Sequence, residues 1–357
     1  MSGGGLNGHE IFERIISLEN LFSAWREFKR GKANKFEVQE FALNLEDNIF
    51  QLHAELKSET YIHSVYTAFY VNDPKLRHIH KASIRDRLVH HAIFRVLYPI
   101  FDSHFIHDSY SCRVGKGPHR AVNRLKSFLN KASHNNTRQV YVLKCDVRKF
   151  FDSIDQKILQ KLIQLRIHDE RTLRLSGQII GSFEKSPSVS LPLGNVTSQL
   201  FANIYLNELD QFVKHRLKVK HYLRYCDDFF IIGHDPDALK ETVGEIDDFL
   251  RVRLKLTLHP NKVIIRKYRQ GIDFLGYVVL LYYRVLRTKT KKRIFKKIGQ
   301  GINEHSLQSY LGVLSHCDGY NIKENILRLS IKNQAKPVSI FPAPQTKTVP
   351  LKQCDGF

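Results

Sequence analysis

The first sixty residues place apolar side chains at mixed three- and four-residue spacing, beginning with Ile11, Ile15 and Leu18. This spacing is typical of amphipathic helices and predicts a helical N-terminal region. Residues 66–80 have an extended and then basic character, and the apolar positions of 84–101 predict another helix. The first part of the chain is therefore predicted to be mainly helical, with one extended segment.

The pattern changes at residue 139. The segment VYVLKCDV is rich in β-branched residues and predicts a buried strand that ends near Asp146. A long helix is predicted over 195–217, followed by the short strands HYLRY and FFIIG, a helix over about 236–252 and a strand within LKLTLHPNKVIIRK. The order β-α-α-β-β-α-β, with a hairpin at its centre, predicts an α+β fold of the split βαβ (ferredoxin-like) type.

The charge balance narrows the class of partner. Lys and Arg number 56 against 35 acidic residues, which gives a formal net charge of +21. Such an excess favours a polyanionic partner, because each neutralised phosphate releases condensed counterions. A membrane-surface protein would concentrate the charge in one amphipathic helix or a terminal block, whereas here it is spread along the chain. We therefore predict a nucleic acid as the partner.

The cellular compartment is predicted from what the sequence does not contain. No run of 18 or more apolar residues is present, and MSGGGLNGHE at the start has no basic segment followed by an apolar run. The cysteines are widely spaced and form no CxxC pair, so a structural zinc site is not expected. We predict a cytoplasmic protein with no membrane partner.

Candidate chemistry centres on three acids. Asp227 and Asp228 lie between the two short strands of the predicted hairpin, and adjacent carboxylates repel each other unless a cation lies between them. Asp146 closes a separate strand that a split βαβ sheet places beside this hairpin. Together the three could bind two Mg²⁺ ions about 3.5–4 Å apart. The alternatives are a polar hairpin tip for the pair and a strand-end cap for Asp146.

The motif strings around these acids resemble a known family. In chain order they are KCDVRKFFDSI, LPLGNVTSQLFANIYLNELD, LRYCDDFF, LHPNKV and DFLGY, which resemble motifs A to E of reverse transcriptases. Upstream, PKLRHIHKASIRDRLVHHAIFRVLYPIF and SYSCRVGKGPHRAV resemble the fingers motifs of the bacterial group II intron-like lineage. The resemblance implies an RNA-directed DNA polymerase with a right-hand fold.

The resemblance also implies the domain organisation. A palm over 139–280, with a fingers insertion around 165–192, follows the fingers and precedes a short helical thumb. The other predicted regions are an N-terminal helical extension over 1–60, fingers over 61–138, a thumb over 281–335 and a flexible tail over 336–357.

The family's functional residues are carried over by motif position. Asp146, Asp227 and Asp228, with Val147 beside them, match the ligands of two Mg²⁺ ions, for which Mn²⁺ could substitute. Lys262 matches the motif D lysine, a candidate proton donor to pyrophosphate, although a surface role is an open alternative for a lone lysine.

Further positions match the binding site for deoxynucleoside triphosphates. Phe151 matches the aromatic gate that excludes a 2′-hydroxyl, and strand alternation, if the strand extends that far, would place it opposite a core Phe150. Arginine pairs well with phosphate oxygens, although any of the basic positions could instead be a solvated charge. The matched positions are Lys75, Arg77, Arg85, Phe151, Gly194 and Gln199.

Motif B departs from most reverse transcriptases, which carry Gln-Gly at its start. Here Leu193 precedes Gly194 in an LGxxxSQ pattern, which resembles the reverse transcriptases of diversity-generating retroelements. That resemblance implies errors at template adenines, because replacing Gln by Leu193 removes hydrogen-bonding capacity near the nascent base pair. The alternative is a packing variant with unchanged fidelity, and retron-like or phage-defence enzymes also vary at this motif.

The remaining predicted contacts are with nucleic acid. The resemblance implies a template RNA, a primer that becomes the cDNA, and a small basic accessory protein as partners. Predicted primer-grip residues are Phe274, Leu275 and Gly276, and predicted basic contacts are Arg113, Lys116, Lys289, Lys291, Lys292 and Arg293.

Three rival functions are weighed against this one. An RNA-dependent RNA polymerase usually has Gly-Asp-Asp in the hairpin and a second Asp in motif A, whereas this chain has Tyr225-Cys226 and Phe151. A non-catalytic, maturase-like RNA-binding protein would not need all three acids. A defence enzyme that polymerises without a conventional template would keep the same catalytic residues.

Overall fold

The computed structural model describes residues 8–72 and 76–334. The candidate Lys75 and the predicted tail over 336–357 lie outside the described residues. The chain divides into two compact units, Met1–Leu275 and Gly276–Phe357. None of the helices in the described ranges is long and apolar enough to cross a lipid bilayer.

The predicted helical N-terminal region consists of four consecutive helices. Its second helix begins after Ser17, whose hydroxyl accepts from the Asn20 amide and so satisfies one of the unpaired donors of the first turn. One face of this helix, including Trp25 and Phe28, is fully buried. The elements are α1 (Gly8–Ile16), α2 (Leu18–Phe28), α3 (Phe36–Leu43) and α4 (Leu45–Lys57).

A hairpin and two helices follow. The hairpin is β1 (Thr67–Asn72) and β2 (Leu76–Lys81), which pair antiparallel and are largely exposed. The helices are α5 (Ile84–Asp102) and α6 (Pro118–Ala132). Pro118 suits the first turn of α6 because the backbone N–H that proline lacks has no helical partner there.

The central part of the chain contains a four-stranded sheet and its covering helices. The strands are β3 (Tyr141–Asp146), β4 (Tyr222–Tyr225), β5 (Asp228–Gly233) and β6 (Ile264–Lys267), in the order β4-β5-β3-β6 with all neighbours antiparallel. The other elements are α7 (Phe150–Ser153), α8 (Gln156–Gln164), α9 (Glu170–Gly181), α10 (Val196–Gln211) with a π-helical turn Phe212–Arg216, α11 (Pro236–Leu254), a 3₁₀ turn Tyr268–Gln270 and β7 (Ile272–Phe274). The split βαβ prediction is confirmed.

The core lies where α10 packs among the other helices. Most of α10 is buried, including Leu200, Tyr205 and Leu209, and a helix that is apolar around most of its circumference belongs in a protein interior. It packs against α5, α8 and α11. The end of β3 and the hairpin β4–β5 are thereby attached to a rigid core.

Two local details differ from the simplest form of the prediction. Phe150 and Phe151 do not continue β3 as an alternating strand, because Lys149 at φ +45° turns the chain into the short helix α7. The strand predicted within LKLTLHPNKVIIRK is reduced to β6 (Ile264–Lys267), since the preceding Pro260 and Asn261 lie in a turn.

The second unit has its own small core. It contains the antiparallel hairpin β8 (Tyr277–Val279) and β9 (Arg284–Leu286), followed by α12 (Thr288–Gly299), α13 (Glu304–Leu314) and α14 (Tyr320–Gln334). Ile294, Ile298 and Ile326 are buried in it. Its assignment as the thumb remains a prediction.

Candidate active site at the hairpin of the central sheet

The central hairpin has a tight turn. Tyr225 pairs with Asp228, so Cys226 and Asp227 alone connect the two strands. Cys226 has φ +56°, a conformation that non-glycine residues seldom adopt. The Arg224 Nη1 donates to the Cys226 carbonyl over 3.0 Å and so holds this turn from the preceding strand.

A buried ion pair supports the hairpin, and it was missed by the sequence analysis. The Arg224 Nη2 lies 2.6 Å from Asp210 Oδ2, and its Nε donates to Asp210 Oδ1 over 2.8 Å. Tyr222 and Asn203 complete the network through their side chains. The signal available in the sequence was an arginine inside the apolar strand YLRY, because a charge at such a position is buried only with a partner.

The end of β3 brings the third acid to the same place. Asp146 is the register partner of Asp228, and residues directly opposite in an antiparallel pair have Cβ atoms about 5 Å apart. The backbone adds two ties: the Val147 amide donates to the Asp227 carbonyl over 3.3 Å, and the His259 amide donates to the Asp146 carbonyl over 2.8 Å. The sequence-predicted acids Asp146, Asp227 and Asp228 therefore meet at one end of the sheet.

These acids occupy an unfavourable electrostatic environment. Burial raises the pKa of Asp227 above its usual value, and the Asp146 carboxylate raises it further. Burial also raises the pKa of Asp228 to about 6; Lys144 counteracts this, while Asp227 and Asp146 add to it. A cation would relieve this repulsion.

Two lysines neutralise part of the acidic charge. The Lys262 Nζ lies 2.7 Å from Asp146 Oδ1, and Lys144 Nζ lies 4.0 Å from Asp228 Oδ1. Lys262 was predicted at this site, whereas Lys144 was not, although its place two residues before Asp146 on the same strand face was visible in the sequence.

The donor set suits a hard divalent cation, because it consists of carboxylate oxygens. The side chains are not arranged as a preformed cage: within residues 8–72 and 76–334, no three Asp, Glu, His or Cys side chains converge closely enough to hold an ion.

The start of the motif B string lies against β2. The His80 amide of β2 donates to the Leu193 carbonyl over 3.1 Å. Gly194 has φ +109°, and a Cβ at this position would lie 3.0 Å from the Ile79 side chain, so only glycine fits comfortably here. Gln199, one turn into α10, is exposed.

The predicted gate residue is partly buried beside this loop. The Phe151 carbonyl accepts from the Leu191 amide over 2.8 Å, which ties α7 to the first residue of the motif B string. Phe150 is 2% exposed and belongs to the core, as predicted. The ring centroids of Phe150 and Phe151 lie 5.3 Å apart.

The two described arginines predicted to bind triphosphate differ in availability. Arg77 is exposed on β2. Arg85 pairs with Glu55, lies 3.4 Å from Asp86 and donates to the Ile62 carbonyl. A triphosphate would have to compete with these contacts for Arg85.

The predicted primer-grip residues occupy a turn. Phe274 is fully buried, with the Phe230 ring 4.5 Å away. Leu275 and Gly276 both have positive φ, +49° and +89°. The backbone is therefore strained at Leu275, the last residue of the first unit.

The predicted basic contacts fall into two groups. Arg113 is nearly buried and pairs with Asp102 at 2.6 Å, and Lys116 donates to the His107 carbonyl, so both serve the internal structure of their loop. Three lysines of α12 are exposed, and Arg293 is half-buried; the lysines are Lys289, Lys291 and Lys292.

Comparisons with known proteins agree on one family. The family model described as "Reverse transcriptase (RNA-dependent DNA polymerase)" matches residues 72–279. The chain is 29% identical to Protein YkfC of Escherichia coli, with 57% of this chain and 63% of that protein covered. It is 25% identical to the group II intron-encoded protein LtrA of Lactococcus lactis, with 94% and 66% covered.

The chain thus spans less than two thirds of each of these two relatives. A solved telomerase from Candida albicans is similar with a TM-score of 0.49 at 12% identity, over 76% of this chain and 54% of that one. Because the matched family region covers more than half of the sequence and includes the three acids of the central sheet, the chain belongs to the reverse transcriptase (RNA-dependent DNA polymerase) family.

Proposed function

We propose that this chain is an RNA-directed DNA polymerase, which extends a primer on an RNA template with deoxynucleoside triphosphates. The observation that carries the proposal is the in-register pairing of Asp146 with Asp228, next to Asp227 at the hairpin turn. Buried carboxylates that raise one another's pKa are unfavourable for stability alone, and such sites are candidates for function.

In this proposal the three acids and Val147 hold two Mg²⁺ ions, which Mn²⁺ could replace. When bound, the ions make the primer hydroxyl a better nucleophile and neutralise charge on the phosphates. The fit rests on the oxygen donors and on the mutual repulsion of the acids. Lys262, whose Nζ lies 2.7 Å from Asp146 Oδ1, is the candidate proton donor to the departing pyrophosphate.

The remaining residues select and hold the substrate. Arg77, Arg85 and Lys75 bind the triphosphate, and the Phe151 ring leaves no space for a 2′-hydroxyl. Gly194 allows the backbone to approach the nascent base pair, with Gln199 on the following turn of α10. The second unit contributes exposed lysines of α12 to the duplex phosphates.

Primer extension on an RNA template tests this proposal. Wild-type protein with Mg²⁺ is expected to incorporate dNTPs and to reject NTPs, whereas Phe151→Ala is expected to accept both. Asp237→Asn, a change of one exposed acid on α11, is the matched control and should keep full activity. Absence of synthesis by the wild type, or synthesis from NTPs alone, would contradict the proposal.

Within this function we place the chain in a diversity-generating retroelement, with errors at template adenines. The LGxxxSQ form of motif B supports this, and Leu193 is tied to β2 through its backbone carbonyl, which accepts from the His80 amide. Sequencing the cDNA tests it: substitutions should concentrate at adenines and decrease in Leu193→Gln. Uniform, low error rates would instead favour the retron-like or phage-defence alternative.

A maturase-like role, in which the protein binds RNA without synthesis, is the second candidate. It is favoured by the names of two similar proteins, LtrA described as group II intron-encoded and an Arabidopsis thaliana protein named Nuclear intron maturase 1. RNA binding that survives Asp227→Asn, together with no incorporation by the wild type, would support it. A small basic accessory protein is a further proposed partner, and mass spectrometry of the proteins that co-purify with the tagged chain would identify it.

A further inference from the structure

The candidate gate residue Phe151 lies in α7, a helix of only four residues. A single helical turn has little stability of its own in water, and this one begins after Lys149 in the left-handed conformation. The position of the Phe151 ring therefore depends on contacts from outside α7. Several of these come from residues 184–190, which precede the motif B string and which we call the 184–190 loop.

Backbone hydrogen bonds attach the 184–190 loop to the chain in and after α7. The Ser190 amide donates to the Ile154 carbonyl over 2.9 Å, and the Gln156 amide donates to the Ser188 carbonyl over 2.9 Å. A third bond, from the residue that follows the loop, reaches the Phe151 carbonyl over 2.8 Å. Because these bonds hold both ends of α7, a shift of the loop would move the helix that carries the gate.

One side-chain contact joins the loop to the residue beside the gate. The Lys185 Nζ lies 2.5 Å from Asp152 Oδ1, and the two side chains are 41% and 36% exposed. An ion pair this exposed contributes little to the stability of a fold. It does restrict the direction in which Asp152 faces, and Asp152 is covalently next to Phe151. The effect of the pair is therefore expected on position rather than on stability.

The loop has a strained backbone that its contacts hold in place. Ser190 is fully buried at φ +104°, and Ser188 has φ +58°. Each polar group of Ser190 has a partner: besides the amide, its hydroxyl accepts from the Lys185 amide over 3.0 Å and its carbonyl accepts from Gln156 Nε2 over 3.0 Å. Positive φ outside glycine persists where the surroundings determine it, and such strain is concentrated at functional sites. The contacts of Ser190 thus fix one conformation of the loop.

A fixed gate matters because a deoxynucleotide and a ribonucleotide differ by one oxygen atom. Functional side chains need to be held to within about 0.5 Å, and a displacement of about 1 Å can change a rate about 10²-fold. We propose that Lys185 and Ser190 are positioning residues for sugar selection: through Asp152 and the backbone of α7 they hold the Phe151 ring where it excludes the 2′-hydroxyl. This inference rests on the proposed role of Phe151 as the gate.

Single-nucleotide incorporation by the full chain tests the ion pair. The measured quantity is the sugar discrimination, which is kcat/KM for a dNTP divided by kcat/KM for the corresponding NTP. Lys185→Met should lower it about fivefold, mainly through a lower KM for the NTP, whereas Lys185→Arg, which keeps the charge, should stay within about twofold of the wild type. Lys240→Met, at an exposed lysine that pairs with Asp237 on α11, is the matched control and should leave the discrimination unchanged.

A change in the loop backbone tests the second residue. Ser190→Gly relieves the strain, because glycine tolerates positive φ, but it removes the hydroxyl that holds the Lys185 amide. The sugar discrimination should fall about threefold, while the melting temperature stays within about 5 °C of the wild type. Asn135→Gly, the same relief of positive φ in an exposed turn elsewhere, is the matched control and should not affect the discrimination.

A double-mutant cycle shows whether the loop acts through the gate. In the Phe151→Ala background the sugar discrimination should already be lost, so adding Lys185→Met should change it no further. A merely structural role of Lys185 would not produce this dependence on Phe151. An equal effect of Lys185→Met in both backgrounds would overturn the inference, because the lysine would then act elsewhere.

The outcomes also separate this inference from the proposed function. If Phe151→Ala loses the discrimination while Lys185→Met and Ser190→Gly keep it at unchanged melting temperatures, the loop does not position the gate and the gate proposal stands. If Phe151→Ala keeps full discrimination, the gate proposal is wrong and this inference is wrong with it.

Discussion

Two aspartates of this chain, the fully buried Asp86 and the partly buried Asp228, have opposite electrostatic character. Burial alone would raise the pKa of Asp86, but a hydrogen bond from Ser83, the nearby His63 and a hydrogen bond from Tyr61 bring it below the usual value. The pKa of Asp228 is raised to about 6 because only Lys144 opposes the partial burial and the neighbouring acids.

The difference indicates that Asp86 stabilises the fold, whereas Asp228 remains available to bind a ligand. Asp86 accepts from Tyr61, Ser64 and Ser83 and pairs with Arg85, so its charge is compensated inside the protein. Among the described residues, the cation beside Asp228 is Lys144, at 4.0 Å, and this is too weak to offset the neighbouring acids. The missing compensation is what a bound cation would supply.

The largest effect is expected from a substitution among the three acids Asp146, Asp227 and Asp228. Asp227→Asn removes one proposed metal ligand, and nucleotide incorporation should fall about 10³-fold, equivalent to about 4 kcal/mol in the barrier. The unfolding free energy in EDTA should not decrease, because a repelling charge is removed. Single-turnover primer extension and urea unfolding measure the two quantities; an active or strongly destabilised variant would contradict the comparison.

The next largest effect is expected from removing the compensated charge of Asp86. Asp86→Ala leaves the buried Tyr61 hydroxyl and the Ser64 amide without their acceptor, so the unfolding free energy should fall by about 3 kcal/mol. Urea denaturation at neutral pH checks this, with Asp237→Ala on the surface as the control. A change below about 1 kcal/mol, the range of surface substitutions, would show that Asp86 is not a structural charge.

A pH series in EDTA sharpens the comparison, because the pKa shifts of the two acids have opposite signs. The pKa of Asp86 is lowered, so its stabilisation is present above the unfolded pKa of about 3.9 and is lost as the pH falls through the folded value. The pKa of Asp228 is raised to about 6, so its protonated form stabilises below about pH 4 and this is lost as the pH rises through 6.

Matched variants isolate the two contributions. Relative to wild type, Asp228→Asn should gain stability between pH 4 and pH 6, by an amount on the order of 2 kcal/mol. The unfolding free energy of Asp86→Asn should be lower than that of the wild type at neutral pH, and this difference should disappear as the pH falls below about 4. If the unfolding free energies of both variants, relative to the wild type, changed with pH in the same direction, the environments of Asp86 and Asp228 would not differ as described.

The smallest expected effect concerns the lone cation beside Asp228. Lys144→Met should lower the unfolding free energy in EDTA by about 0.5 kcal/mol at neutral pH, since the pair is partly exposed and 4.0 Å apart. In the Asp228→Asn background the same substitution should have no effect. A double-mutant cycle measures this coupling, and a coupling energy of zero would remove Lys144 from the site.

Much of the site was predictable because its signals are local. The apolar strands on both sides of Asp227 and Asp228, and the strand that ends at Asp146, predicted both the hairpin and its neighbour. The α+β right-hand polymerase fold that this implied is confirmed. Arg224 was missed because its partner Asp210 lies on another element, and sequence spacing does not identify such a partner.

The sequence by itself determined the order of elements, the family and the three acids, because periodicity and motif spacing are properties of neighbouring residues. Only the tertiary structure decided which charges are compensated. Arg113, which was predicted to contact nucleic acid, pairs with Asp102 at the end of α5, whereas Lys32, which was not singled out, lines a cavity. Burial and partner choice depend on residues far apart in the chain, and folding alone brings these together.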